Sequence, residues 1–303
     1  MKKAVIFGVG KRFEDYLQNI EKTYEVVGCI DNNWMNKDAD VRPVEDIRTM
    51  EYDVVLVTPD FFSEMYDQLI DEGVEKNKII VLAFGKPAER ILSYDYYGQH
   101  CEDLIIAAIF KRMGIEKPSY MDLGANHPFL GSNTAILYMN GCRGINIEAN
   151  PDLIHGFEIV RPEDINLQTG IAKNDGNLVF YKYDKASGLN TFLKEKTRKW
   201  NKEVQECIEL PVITLKKVVD QYCPNGFPDF LDCDIEGLDY EVLEDYDLAG
   251  NGPKVCCVEV IAEDIGKFDV MMDGKGYYRF CRLGENNIYI RKEYSKIVSH
   301  FED

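Results

Sequence analysis

Asp122 and Glu148 are the residues whose setting points most directly to chemistry. Asp122 lies in Tyr120-Met121-Asp122-Leu123-Gly124-Ala125-Asn126, an apolar run that ends in an acid and a small-residue turn. Glu148 ends the next apolar run, Ile145-Asn146-Ile147-Glu148. This is the pattern of two adjacent parallel strands whose carboxyl ends meet at a nucleotide. Small residues at Gly124 and Ala125 let the backbone approach the ligand, and a carboxylate at the second strand tip can accept both ribose hydroxyls. A dinucleotide loop would read Gly-x-Gly-x-x-Gly. The loop here, Gly124-Ala125-Asn126-His127-Pro128, suits a ligand without a pyrophosphate, such as S-adenosylmethionine. Asp122, Gly124, Ala125, Asn126 and Glu148 are the candidate cofactor contacts.

The elements that must position these residues follow from hydrophobic patterning. An α/β chain of two Rossmann-like domains is expected: a small one over residues 1–84, a helical connector over 85–118, and a larger domain over 119–303. In the first, strands at 4–7, 26–30, 54–58 and 79–82 alternate with helices at 11–22 and 61–72, as in a parallel sheet covered on both faces. Its opening turn, Gly8-Val9-Gly10-Lys11-Arg12-Phe13, with Asp31 after the second strand, resembles a dinucleotide site. Phe13 stands at the third glycine position, however, where close helix–strand packing wants no side chain, so Gly8 and Gly10 read better as turn residues. Residues 101–113 carry helical spacing, with Gly114 as a stop and Pro118 as a breaker. In the larger domain strands are expected at 120–123, 144–148, 165–172, 230–235 and 255–260. An antiparallel excursion pairs 178–183 with 209–214, and a hairpin of 277–283 and 287–291 turns at Gly284-Glu285-Asn286.

Composition narrows the classes. The 303 residues carry a net charge of −18, which argues against nucleic acid, since counterion release needs clustered Lys and Arg. No apolar run is long enough for membrane insertion, and Met1 to Phe7 is a short charged lead into a strand with no signal-peptide character. Nine cysteines, none in C-x-x-C spacing, read as buried thiols of a reducing compartment. A cytoplasmic location is expected, and homo-oligomerisation is left open.

The stretch from Met121 to Val260 resembles the FkbM-type methyltransferase family. The residues that carry the likeness are Asp122-Leu123-Gly124-Ala125-Asn126, Ile147-Glu148-Ala149-Asn150-Pro151, Asp232-Cys233-Asp234-Ile235-Glu236-Gly237 with Tyr240-Glu241-Val242-Leu243, and Val258-Glu259. The first module resembles, more loosely, the short Rossmann-like domain attached to sugar-modifying enzymes of bacterial surface polysaccharide pathways. The resemblance implies a class I methyltransferase fold with a closing antiparallel hairpin, S-adenosylmethionine as cofactor, and O-methylation of a sugar, nucleotide sugar or glycan precursor. His127-Pro128-Phe129-Leu130 and Arg161-Pro162-Glu163-Asp164 depart from the common family pattern and mark a subgroup.

On that footing Asp122 would orient the loop or hold the cofactor's ammonium through water; its bland alternative is a helix-capping acid. Adenine would lie near residues 164–170, its edge read by Asn166 or Gln168. A hydroxyl is a poor nucleophile until a base or metal helps remove its proton, and His127, Asp234 and Glu236 are the candidate catalytic bases. His127 titrates near neutrality, but a histidine before Pro128 could equally cap or pack. No metal ligand is assigned, although Asp234 and Glu236 with Asp232 or Glu259 could hold Mg²⁺. Arg161 and the run Lys194-Lys196-Arg198-Lys199 could receive an acidic acceptor, and Trp200 or Tyr183 could stack on a sugar. Two rivals stand beside this reading: an NAD-dependent oxidoreductase using Gly8, Gly10 and Asp31, and a cofactor-binding scaffold without catalysis.

Overall fold

The computed structural model describes residues 1–10, 13–38, 40–58, 61–82, 96–185, 187–194 and 203–298. They fall into two compact units, Met1–Asp95 and Tyr96–Asp303.

In the first unit five strands, β1 (Lys2–Phe7), β2 (Tyr24–Ile30), β3 (Val41–Arg42), β4 (Val54–Val57) and β5 (Ile79–Val81), form one parallel sheet in the order β3-β2-β1-β4-β5. Helices α1 (Phe13–Ile20) and α2 (Phe62–Asp71) supply crossovers. The central strands are apolar on both faces, with Ala4 to Phe7 fully buried, as a sheet covered on both sides requires. β3 was not legible: two residues are too few for any periodicity. Gly8 has φ +97°, and a Cβ there would lie 2.1 Å from Thr58 Oγ1. The glycine thus lets the chain pass its own sheet. Asp31 is likewise spent on local structure, accepting from Val9 N at 2.7 Å and from Asn33 N at 2.8 Å.

The second unit is built on β6 (Tyr120–Leu123), β7 (Gly144–Glu148), β8 (Ile165–Gln168), β12 (Phe230–Cys233), β13 (Val255–Glu259), β14 (Tyr277–Leu283) and β15 (Asn286–Arg291), in the order β14-β15-β13-β12-β6-β7-β8. The strands from β8 to β13 in that order run parallel; β15 is antiparallel to β13 and to β14. This is the class I methyltransferase arrangement, a parallel sheet closed by an antiparallel hairpin. Around it lie α3 (Glu102–Arg112), α4 (Ala135–Met139), α5 (Pro151–Val160), α6 (Leu215–Tyr222), α7 (Asp239–Asp245), α8 (Leu248–Asn251) and α9 (Ile265–Gly274). Residues 85–95 of the expected connector lie outside the described residues. Its helix α3 packs Ile106, Ile109 and Phe110 against Tyr120, Phe230 and Ile288 of the second unit.

The expected strand over 165–172 is broken. After Gln168 the chain leaves the main sheet, and β9 (Gly170–Ile171) joins a separate sheet with β11 (Glu206–Ile213) and β10 (Gly176–Lys182). Thr169 Oγ1 donates to Pro211 O at 3.1 Å, and a Cβ on Gly170 would lie 2.6 Å from the Phe192 ring. The switch needs that glycine. The strand expected over 230–235 also ends early, at Cys233, which places Asp234 and Glu236 in a loop. No helix among the described residues is long and apolar enough to cross a membrane.

Candidate active site

A cavity of about 320 Å³ lies over the carboxyl ends of β6, β7, β12 and β13. Its centre is where the strand order reverses, between β6 and β12, the place at which open α/β sheets bind ligands. Asp122, Gly124, Ala125, Asn126 and Glu148, the five expected cofactor contacts outside β8, all line it.

The β6 loop is fixed from within. Gly124 N and Ala125 N both donate to Ile147 O, at 2.9 and 3.0 Å. Gly124 has φ +80°, and a Cβ there would stand 1.9 Å from Asp234 O. The glycine is therefore demanded first by the neighbouring β12 loop, rather than by a ligand as the sequence suggested. Asn126 follows at φ +51°, a conformation asparagine tolerates, and its N–H donates to Glu148 Oε2 at 2.8 Å. Glu148 Oε1 accepts from Asn150 N at 2.7 Å. Asn150 in turn caps α5, with Pro151 at the first helical position. Each Glu148 oxygen thus holds one backbone N–H and keeps further acceptor capacity. Burial pushes the Glu148 carboxyl up to about 7, against the opposing pull of those amides.

Asp122 is buried on β6, and Thr134 Oγ1 donates to its Oδ2 at 2.7 Å. Burial raises Asp122 to about 6, with Thr134 and the Arg161 charge acting the other way. Behind this pair lies Arg161, completely buried. It donates to Asp164 Oδ2 (3.0 Å), Tyr120 Oη (2.8 Å), Pro128 O (3.2 Å) and Thr134 Oγ1 (3.1 and 3.2 Å). The expectation that Arg161 receives an acidic acceptor is corrected: its donors are all engaged inside the fold.

The other end of the cavity carries carboxylates. Asp232, Asp234, Glu236, Glu259 and Glu285 line it, and no Lys, Arg or His does so among the described residues. Asp234, Glu236 and Glu259 each place an oxygen within 4.8 Å of the others. Asp234 Oδ1 is buried without a hydrogen-bond partner. Burial, then the charges of Glu259 and Glu236, hold the Asp234 carboxyl well above the usual range. Glu236 sits at φ +54° in a loop that Asp239 ties down by accepting from Ile235 N (3.0 Å) and Gly237 N (2.9 Å). Thr191 Oγ1 adds a bond to Glu236 O at 3.0 Å. Asp232 is separate, accepting from Asn133 Nδ2 at 3.2 Å.

Three expected contributors are not in the lining. His127 Nδ1 accepts from Phe129 N (3.3 Å) and Leu130 N (3.0 Å), and its ring packs edge-on against Phe129. It therefore caps the loop, the blander of its two readings. Asn166 bonds to Asn146 Nδ2 and Arg161 O, which turns its amide toward the Arg161 network. Gln168 is exposed at the strand end. Thr169, Gly170 and Ile171 line the cavity instead, because the chain switches sheets there. Tyr183 is buried and is not in the lining. Lys196, Arg198, Lys199 and Trp200 lie outside the described residues.

Sequence reasoning missed Thr134, Asn133, Thr191 and Asp239. Only Asp239 carried a usable signal, as an acid at the start of the helix after the Glu236-Gly237 turn. The other three reach the site through tertiary folding.

A family model described as the methyltransferase FkbM domain matches residues 122–278, and one described as C2185-like, N-terminal, matches residues 1–80. No curated protein and no solved structure matches.

Proposed function

The chain belongs to the FkbM methyltransferase family, and on that premise we propose that it transfers a methyl group from S-adenosylmethionine to a hydroxyl of a sugar or glycan precursor. The observation that carries the cofactor assignment is Glu148: a buried carboxylate at a strand tip, with acceptor capacity left on both oxygens and a cavity beside it. A ribose diol is the partner that such a pair of oxygens fits. Asp122 is the acid placed for the amino-acid end of the same ligand, and Gly124, Ala125 and Asn126 present the loop between them. Thr169, Gly170 and Ile171, in the lining beyond β7, offer a wall for the base in place of Asn166 and Gln168.

When bound, S-adenosylmethionine would supply a methyl group on a positively charged sulfur, open to in-line displacement by an acceptor oxygen. The chain's own part is chiefly positioning, which carries much of the rate of such a displacement. Glu148 and Asp122 fix one partner. Asp234, Glu236 and Glu259 face the space left for the other, where carboxylates can orient a hydroxyl and take up its proton. The acidity of the described lining, with Asp232, Asp234, Glu236 and Glu259 at this end, favours an acceptor without phosphate.

The acceptor assignment is tested by incubating the protein with methyl-labelled S-adenosylmethionine. Unphosphorylated mono- and oligosaccharides and their nucleotide-diphosphate forms are offered in parallel. Label fixed as an acid-stable methyl ether on the unphosphorylated sugars is expected. Label found only on nucleotide-diphosphate sugars, or only on amines, would contradict it.

A further inference from the structure

We propose that Asp234, Glu236 and Glu259 hold one hard divalent cation of the Mg²⁺ class at the acceptor end of the cavity. Three separate observations converge. Two adjacent parallel strands, β12 and β13, deliver the acids: Asp234 and Glu236 follow the end of one, and Glu259 is the last residue of the other. Their oxygens lie within 4.8 Å of one another. In a six-coordinate ion with ligands at about 2.1 Å, neighbouring donors lie roughly 3.0 Å apart and opposite ones roughly 4.2 Å, so the three oxygens must draw in around the ion to complete the set.

The second observation is Asp234 Oδ1, buried with no hydrogen-bond partner. A buried oxygen left without a partner is costly, and buried carboxylates that stay ionised are paired or coordinate metals. The neighbouring Asp232 has its own partner in Asn133, which separates it from the ligand set although the sequence offered it as an alternative. The third is the charge of the cavity. Its described lining holds seven carboxylates, Asp122, Glu148, Asp232, Asp234, Glu236, Glu259 and Glu285, and no Lys, Arg or His.

All three ligands are carboxylates. Oxygen donors of this kind select Mg²⁺, Mn²⁺ or Ca²⁺ over zinc or copper. The backbone is set for the task, since Asp239 holds both Ile235 N and Gly237 N and so fixes the turn that presents Glu236. Three protein ligands leave positions open on a six-coordinate ion. If the methyltransferase reading above is right, those positions would take the acceptor's hydroxyl, and the ion's charge would lower its pKa. Asp234 and Glu236 would then act as ligands in place of direct proton acceptors.

The test uses the full chain and Mn²⁺ as the probe, with free Mn²⁺ followed by electron paramagnetic resonance in 150 mM salt. S-adenosylhomocysteine binding is measured alongside. One site per chain is expected, displaced by Mg²⁺, and weakened at least tenfold in both Asp234→Asn and Glu259→Gln. Retained thermal unfolding cooperativity identifies a folded variant, and either one suffices. No Mn²⁺ uptake up to millimolar concentration would overturn the cation site and return Asp234 and Glu236 to the role of direct bases. Uptake unchanged in both variants would also overturn it, as diffuse attraction to an acidic surface. Absence of S-adenosylhomocysteine binding with Mn²⁺ bound would remove the role in methyl transfer and leave the cation site standing.

Discussion

The Thr134 hydroxyl lies 2.7 Å from Asp122 Oδ2 and receives two N–H groups of Arg161, at 3.1 and 3.2 Å. A hydroxyl that accepts from a guanidinium has its own proton left to donate, and here it donates to the carboxylate. Arg161 also holds Pro128 O, on the other side of the same loop. The Arg161 charge therefore reaches the cavity acid through one oxygen, without any solvent-exposed contact of its own.

Thr134→Val removes that oxygen and keeps the shape. We expect it to weaken S-adenosylhomocysteine binding about tenfold, roughly 1.4 kcal/mol, by loss of a charged hydrogen bond at Asp122. Thermal stability should fall as well, because Arg161 loses a buried acceptor. Calorimetric titration and a thermal melt check both. Unchanged affinity would mean that Asp122 does not touch the cofactor.

Glu148 gives a pH prediction with a definite sign. Folding raises its carboxyl from 4.5 to about 7, so the native state binds more protons than the unfolded chain between those values. Stability then falls as pH rises through that window, by up to about 3 kcal/mol from this group, and levels above it. Glu148→Gln lacks this dependence, although it suffers a constant cost from turning an amide toward a backbone N–H. The difference in melting temperature between variant and wild type should shift in the variant's favour from pH 4.5 to 7. A diol that donates to the carboxylate favours the ionised form, so S-adenosylhomocysteine should bind more tightly as pH rises through 7, with proton release.

Gly124→Ala tests the contact between the two loops. Its Cβ would fall 1.9 Å from Asp234 O, at a residue with φ +80°. We expect destabilisation of roughly 2–4 kcal/mol from overpacking and left-handed strain together, read as a fall in denaturation midpoint. A stable variant would show that the loops can part without cost.

Asp239→Ala removes the acceptor of Ile235 N and Gly237 N. Under the proposed function it should lower kcat at least tenfold while changing S-adenosylhomocysteine affinity less than threefold, since it frees the Glu236 turn and leaves Glu148 untouched. A larger effect on affinity than on kcat would place the Glu236 loop at the cofactor instead.

Most of the parallel strands were legible as short apolar runs closed by an acid or a glycine, and the tips at Asp122 and Glu148 were legible with them. The hairpin showed through its Gly284-Glu285-Asn286 turn. The break after Gln168 did not, since residues 165–172 read as one continuous strand, and only the approach of Phe192 and Val212 to Gly170 explains it. Asn166 stays in the main sheet and bonds to Asn146 and Arg161 O, contacts that strand alternation alone does not reveal. His127 was ambiguous in sequence because a histidine that caps and one that accepts a substrate proton are the same letter. Arg161 was read as a cation that could receive an acidic acceptor because nothing local reveals that Tyr120, Thr134 and Asp164 close around it.

The most direct test of the central claim is calorimetric titration of the full chain with S-adenosylhomocysteine, repeated on Glu148→Ala and with NAD⁺ as control. The account predicts one site per chain in the wild type, at least a hundredfold loss in the variant with folding retained, and no NAD⁺ binding. No S-adenosylhomocysteine binding, with or without Mg²⁺, or equal affinity in the two proteins, would contradict it.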